Sequence, residues 1–330
     1  MINITKERLN NIKRNFLNKK IAVIGDMMLD GYYWGDVNRI SPEAPVPVIE
    51  VGEEFFRFGG AANVALNIKT LGGIPIPIGI VGKDNDGKIF RSLLSDVKMK
   101  SDGIIFDSTR PTTAKTRVIA NNQHVVRIDK EEREYISPVL EKKIINFLTI
   151  IVKDLDGIIL QDYNKGVLTE TLIKKIITLG NKHKKIIAVD PKFNNFFAYS
   201  GATIFKPNKK ETEDALSIRL DTKISTKKAG EKLMKKLKVK YVMITLGQDG
   251  VAIFDGSKPE MRIPTKARKI RDVSGAGDTV ISTLTLALAA GANIYEAAYL
   301  ANYAGGLACE EVGIVPIELS NLFIELESNL

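Results

Sequence analysis

The sequence predicts an α/β protein: a mostly parallel central sheet flanked by helices on both faces, with a small β lid. Three observations predict it. Short β-rich runs alternate with amphipathic helical stretches along the chain, the pattern of strand–helix–strand units. Those runs are almost wholly apolar, as strands buried on both faces are. Two further segments break the alternation and fit β-structure lying outside the main sheet.

The opening residues, MINITKERLNNIKRNFLNKK, form a polar amphipathic helix rather than a signal peptide. Ile21 to Gly25 is a compact strand ending at Asp26, and Ala61 to Leu71 has helical spacing. Pro75 to Val81 is a strand and Asp84 to Val97 a helix. Later strands are Gly157 to Gln161, Lys185 to Asp190, Thr203 to Lys206 and Tyr241 to Leu246, with helices at about 137–153, 169–182 and 224–238. The first exception, Tyr32 to Val51, carries Pro42, Pro45 and Pro47, which exclude a central strand. The second, Thr112 to Asp129, alternates around Asn121-Asn122, a hairpin signal. Both are expected to cover the sheet's carboxyl edge, where open α/β folds bind ligands. A single domain over 1–330, with lid segments at about 32–51 and 112–129, accommodates the whole chain.

Composition excludes several classes. At 330 residues, 44% apolar and 26% charged, the chain is globular rather than disordered. Cys309 is its only cysteine, so no intrachain disulfide forms. Val280 to Ala292 is too short to span a bilayer. The formal charge of +9 raises nucleic-acid binding, but the lysines are scattered in pairs and no aromatics interleave with the Lys227–Lys240 run. A cytoplasmic protein that binds neither nucleic acid nor membrane is the expectation. His124 and His183 are lone histidines without a partner at metal-ligand spacing.

Two segments carry chemistry. In Asp272-Val-Ser-Gly-Ala-Gly-Asp278, Gly275 and Gly277 bare the backbone where a helix begins. The amides of Gly275, Ala276 and Gly277 would form an anion cradle. Asp278 in the first turn can take the proton of an attacking hydroxyl, or simply cap the helix. No G-x-x-x-x-G-K-[ST] or strand-borne G-x-G-x-x-G accompanies it. In Phe58-Gly-Gly-Ala-Ala-Asn63, Gly59 and Gly60 allow close backbone approach, and Asn63 can both donate to and accept from a sugar hydroxyl; a plain turn is the alternative.

These two segments, in this order and about 210 residues apart, resemble the signatures of the ribokinase-like (PfkB) carbohydrate kinases. Within that family, Arg39-Ile-Ser-Pro-Glu-Ala-Pro-Val-Pro-Val48 and Gly25-Asp26-Met-Met-Leu-Asp30 resemble the kinases of D-glycero-β-D-manno-heptose 7-phosphate. The resemblance implies a ribokinase-like fold and Asp278 as catalytic base, beside an anion hole at Gly275, Ala276 and Gly277. Asn208 and Glu211 would match an N-x-x-E motif that organises Mg²⁺ through water. Thr245, Gly247, Gly250 and Asn302 would border ATP. Asp26, Asp30, Gly59, Gly60, Asn63, Asp162 and Lys165 would contact the sugar, and Lys115 and Arg117 its phosphate.

The implied activity is ATP-dependent phosphorylation of O1 in ADP-heptose synthesis. A monovalent cation and a homodimer formed through the lid are further implications. Asn164 and Cys309-Glu310-Glu311 depart from the subgroup pattern. No H-x-G-H motif of a fused nucleotidyltransferase occurs, so a stand-alone kinase is expected. A kinase of another sugar phosphate, such as a fructose or tagatose phosphate, and a non-catalytic sugar-phosphate sensor are the alternatives. Glu211 and Asp30 also have capping roles open to them, and Lys115 and Arg117 a solvated one.

Overall fold

The computed structural model describes residues 4–121, 123–265, 270–311 and 313–329. Asn122 of the expected lid turn and the first three residues of the expected opening helix lie outside them. Helix α1 (Lys6–Phe16) is followed by β1 (Lys20–Gly25), β2 (Met27–Ile40) and β3 (Pro47–Gly60). Then come α2 (Ala61–Thr70), β4 (Ile74–Gly82), α3 (Asn85–Asp96), β5 (Ile104–Asp107), β6 (Thr113–Ala120) and β7 (Gln123–Lys130). The alternation continues through α4 (Pro138–Ile151), β8 (Gly157–Gln161), α5 (Glu170–Lys182), β9 (Ile186–Asp190), β10 (Ile204–Phe205), α6 (Lys209–Leu216), α7 (Lys223–Leu237) and β11 (Tyr241–Thr245). Strands β12 (Val251–Phe254) and β13 (Met261–Ile263) precede α8 (Ala276–Ala289), α9 (Ile294–Cys309) and α10 (Leu319–Glu327).

The main sheet runs β13-β12-β11-β10-β9-β8-β1-β4-β5. Its pairs are parallel from β11 to β5, while β12 and β13 add an antiparallel edge. The sequence pattern missed those two strands, because β12 follows β11 after only a tight Gly247–Gly250 turn. Side chains of β1 alternate across the sheet despite its unbroken apolar run. Ile21 and Val23 join a core with α1, α2, α8, α9 and α10, whereas Ala22 and Ile24 join one with α4, α5 and α7. Burial on both faces is what an all-apolar strand requires.

The lid is a four-stranded sheet ordered β3-β2-β6-β7. Its hairpin 113–130 sits where expected, but its first segment spans 27–60 rather than 32–51. Strand β2 leaves the main sheet immediately after Asp26, and buried Met27, Met28 and Leu29 read in sequence as a continuation of the core. The three prolines fall where their missing N–H does no harm. Pro42 and Pro45 lie in the exposed tip, and Pro47 opens the edge strand β3.

Because β1, β8, β9, β10 and β11 run in one direction, the residues that follow them gather at one edge under the lid. The N-terminus of α8 meets them there, and this edge carries the site.

Candidate active site

Helix α8 starts at Gly275, whose φ of +78° is left-handed and suits glycine. The Gly275 and Gly277 amides have no backbone acceptor among the described residues, and both point from a helix start that favours anions. The Ala276 amide differs from expectation: it donates to the Val273 carbonyl at 3.3 Å, so the turn itself consumes it. A methyl group on Gly277 would sit 3.9 Å from both Asp190 Oδ2 and Lys206 Nζ. Bare backbone therefore faces an ion pair, Lys206–Asp190 at 3.0 Å, that is itself buried.

Asp278 occupies the first turn and is 3% exposed. Its Oδ1 accepts from the Tyr163 hydroxyl at 2.7 Å and from Gln161 Nε2 at 3.2 Å. Its Oδ2 accepts from Asn63 Nδ2 at 2.7 Å. Asn67 steadies that donor by giving its own amide to the Asn63 carbonyl at 3.0 Å, and it takes the Thr279 hydroxyl at 3.1 Å. Burial pushes the Asp278 carboxyl up to about 6, against the hydrogen bonds from Asn63 and Tyr163 that favour its ionised form. Both acceptor positions of Oδ1 are filled, whereas Oδ2 keeps one open. A carboxylate so arranged can receive a proton at Oδ2 near neutral pH.

Asp278, Gly275 and Gly277 line a cavity of about 520 Å³ with Tyr163, Lys192 and Lys206. Burial works against charge on Lys192, yet Asp190 and Glu211 more than offset it and hold that lysine protonated. Lys192 also pairs with Glu211. A second cavity, about 270 Å³ and mostly apolar, is lined by Gly250, Val280, Asn302, Gly305 and Cys309. The two share Thr245, Gly247, Val273 and Gly277, so a basic chamber opens onto an apolar one. Asn302 is anchored by its amide to the Pro264 carbonyl at 2.8 Å. Cys309, half-buried, lines this cavity at the end of α9 rather than lying inside the helix packing.

Asn208 and Glu211 form a capping box on α6, the side chain of each accepting from the other's backbone amide at 2.8 Å. Glu211 thus has one oxygen on the Asn208 amide and the other on Lys192. Among the described residues, no group of three or more His, Cys, Asp or Glu side chains is placed to hold a metal. This donor set fits a cation carried by phosphate oxygens and water, and offers no protein cage.

Several expected sugar contacts have other tasks. Asp26 is 1% exposed, and its carboxylate accepts the amides of Tyr163, Lys165 and Val167 at 2.8, 3.1 and 3.1 Å. It staples the 163–167 loop. Asp162 turns toward the opposite core, accepting from Tyr199 at 2.7 Å and from the Asn164 amide at 2.8 Å. Lys165 pairs with Glu131 at 2.8 Å, and Lys115 with Asp129 at 3.4 Å. Asp26, Asp162 and Lys165 are buried because a loop folded against the sheet must satisfy its polar groups internally, whereas Lys115 sits on β6 of the lid and pairs across to β7. Gly59 leaves room for Asp30, whose Oδ2 would lie 2.2 Å from a methyl group there. Gly60, at φ +56°, packs on the Asp26 carbonyl as α2 begins.

Asp30 pairs with Arg117 at 2.5 Å on the lid. In register, Arg57, Asp30 and Lys115 form one row of the lid sheet, and Phe55, Tyr32 and Arg117 the next row on the same face. Arg57 and Arg117 lie 5.7 and 5.2 Å from the Tyr32 ring. Sequence reasoning missed Gln161, Tyr163, Asp190, Lys192, Lys206 and Arg57. For the first five the available signal was position: each lies at or just beyond the carboxyl end of a buried strand.

The family described as "pfkB family carbohydrate kinase" matches residues 18–318. The bifunctional protein HldE of Helicobacter pylori (strain HPAG1) is 42% identical over 309 residues, covering 93% of this chain and 66% of that protein. HldE of Desulfatibacillum aliphaticivorans is 39% identical over 312 residues, 94% and 64% of the two chains. The chain therefore spans about two thirds of the length of these relatives. Among solved structures, Escherichia coli phosphofructokinase-2 in complex with potassium superposes with a TM-score of 0.75 at 20% identity, covering 94% and 99% of the two chains. Arabidopsis thaliana ribokinase complexed with ribose and ATP gives 0.72 at 18%, covering 93% and 99%.

Proposed function

The chain belongs to the pfkB family of carbohydrate kinases, and on that premise we propose that it transfers the γ-phosphoryl group of ATP to O1 of D-glycero-D-manno-heptose 7-phosphate. The observation that carries this reading is the Asp278 carboxylate, with Oδ2 still open to a donor, beside the bare helix start. In the reaction the anomeric hydroxyl gives its proton to Oδ2 while its oxygen bonds the γ-phosphorus. The bond to the β-phosphate oxygen breaks, leaving ADP and the 1,7-bisphosphate. The Gly275 and Gly277 amides and Lys206 face the transferring group and stabilise the charge that develops on it. Lys192 serves the phosphate chain, and the apolar cavity beside Asn302 takes the base.

Asn208 and Glu211 would orient the waters of Mg²⁺, which when bound neutralises phosphate charge. Arg117, released from Asp30, would grip the substrate's own phosphate and free the Asp30 carboxylate for a hydroxyl. The product would enter ADP-heptose synthesis. Identity to the HldE proteins supports this sugar over other sugar phosphates. A coupled ADP-release assay on a panel of sugar phosphates tests it. The heptose phosphate should give the highest kcat/KM, and a fructose or tagatose phosphate turning over faster would replace it. The exposed Val126 and Ile128 of β7, in register with Val118 and Thr116, support pairing of two lids in a homodimer, which light scattering checks.

A further inference from the structure

Gln161 ends β8 and is 1% exposed in the middle of the main sheet. Its amide nitrogen lies 3.2 Å from Asp190 Oδ2 and 3.2 Å from Asp278 Oδ1. Two carboxylate acceptors fix the orientation of the amide, since the flipped form would set Oε1 against both. Among the described residues Oε1 is then buried without a partner. A glutamine kept only for packing would satisfy both ends; this one forgoes half its hydrogen-bonding capacity to bridge two acids.

We propose that Gln161 is a positioning residue for Asp278: its amide ties the base to the Lys206–Asp190 pair and keeps Oδ1 occupied, so that Oδ2 takes the proton. This rests on the kinase reading above. The groups that face the base come from several elements. Asp190 at the end of β9 repels its charge and Lys206 beyond β10 attracts it. Lys192 beyond β9 acts on it through space, and Tyr163 beyond β8 donates to it. Asp30 of the lid acts in turn on Tyr163. Among the described residues, Gln161 is the side chain that donates to both acids, one N–H to each. Without that shared donor, Asp190 and Asp278 repel across an empty gap and the base holds its proton to higher pH.

The test is the pH profile of kcat/KM, from pH 5 to 9, for Gln161→Met and Gln161→Glu beside the wild type. Methionine keeps length and flexibility but donates nothing. The acidic limb should move up by about one pH unit, so that the loss relative to wild type is about tenfold larger at pH 5.5 than at pH 8.5. Glutamate, which keeps the shape and adds a third carboxyl, should move the limb at least as far. An unmoved limb in both variants, or a loss equal at every pH, overturns the proposal. Asp278→Asn tests the underlying reading separately: if it keeps turnover, the base assignment fails whatever Gln161 does.

Discussion

Asp26 separates a ligand role from a structural one by measurement. Replacing it with alanine strands three backbone amides, those of Tyr163, Lys165 and Val167. A buried donor without a partner costs about 1–3 kcal/mol. Against this stands the cost of keeping the carboxylate ionised. Burial, with the nearby Asp162 charge, pushes Asp26 up to about 6 from 3.8, which amounts to about 3 kcal/mol recovered on its removal. The net expectation is a loss of about 3 kcal/mol in unfolding free energy at pH 7.5. Asp26→Asn, which keeps one acceptor oxygen and also sheds the buried charge, should lose less than the alanine variant. Urea unfolding reads this as a lowered midpoint with unchanged slope. Because the staple carries Tyr163 toward Asp278, kcat should fall more than the sugar-phosphate KM rises. A variant within about 0.5 kcal/mol of wild type but with a greatly raised KM would refute the reasoning and return Asp26 to the ligand.

Asp278, raised to about 6, binds its proton more tightly folded than unfolded, so the wild type loses stability as pH rises from about 4 to about 6. Asp278→Asn should therefore unfold at higher urea than wild type at pH 7.5, by the equivalent of about 2–3 kcal/mol, with the advantage gone below pH 4. Its donors are side chains that can turn to other partners, unlike the amides fixed on Asp26. Gly277→Ala should gain up to about 1 kcal/mol of helix stability while losing most turnover, because the methyl enters the space before Lys206 and Asp190; full activity with the methyl present contradicts the cradle. Arg117→Met should raise the KM for the sugar phosphate about 10–100-fold, the worth of a charged hydrogen bond, and leave the KM for ATP within about twofold; steady-state kinetics with each substrate varied in turn distinguishes the two.

The main sheet was legible because its strands are short, apolar and separated by well-patterned helices. The Asp272–Asp278 segment was legible too, since glycines at a helix start have few other uses. The lid's true extent was not, because Met27, Met28 and Leu29 are as buried as the core strand before them. Asp26 and Asp162 show a deeper limit. A carboxylate at a strand end looks the same in sequence whether it faces a ligand or a ring of amides, and only the path of the 163–167 loop decides. Gln161 and Lys206 carry no motif of their own and acquire meaning only when parallel strands bring them beside α8.

The central claim is that Asp278 removes the proton from the acceptor alcohol. It is tested most directly by Asp278→Asn, measured for turnover and for ATP affinity by calorimetry in the same preparation. Turnover should fall by about 10²–10⁴-fold, with ATP affinity within about threefold, since the asparagine fills the same space and the cavity beside Asn302 is untouched. Turnover within tenfold of wild type at pH 7.5 would contradict it.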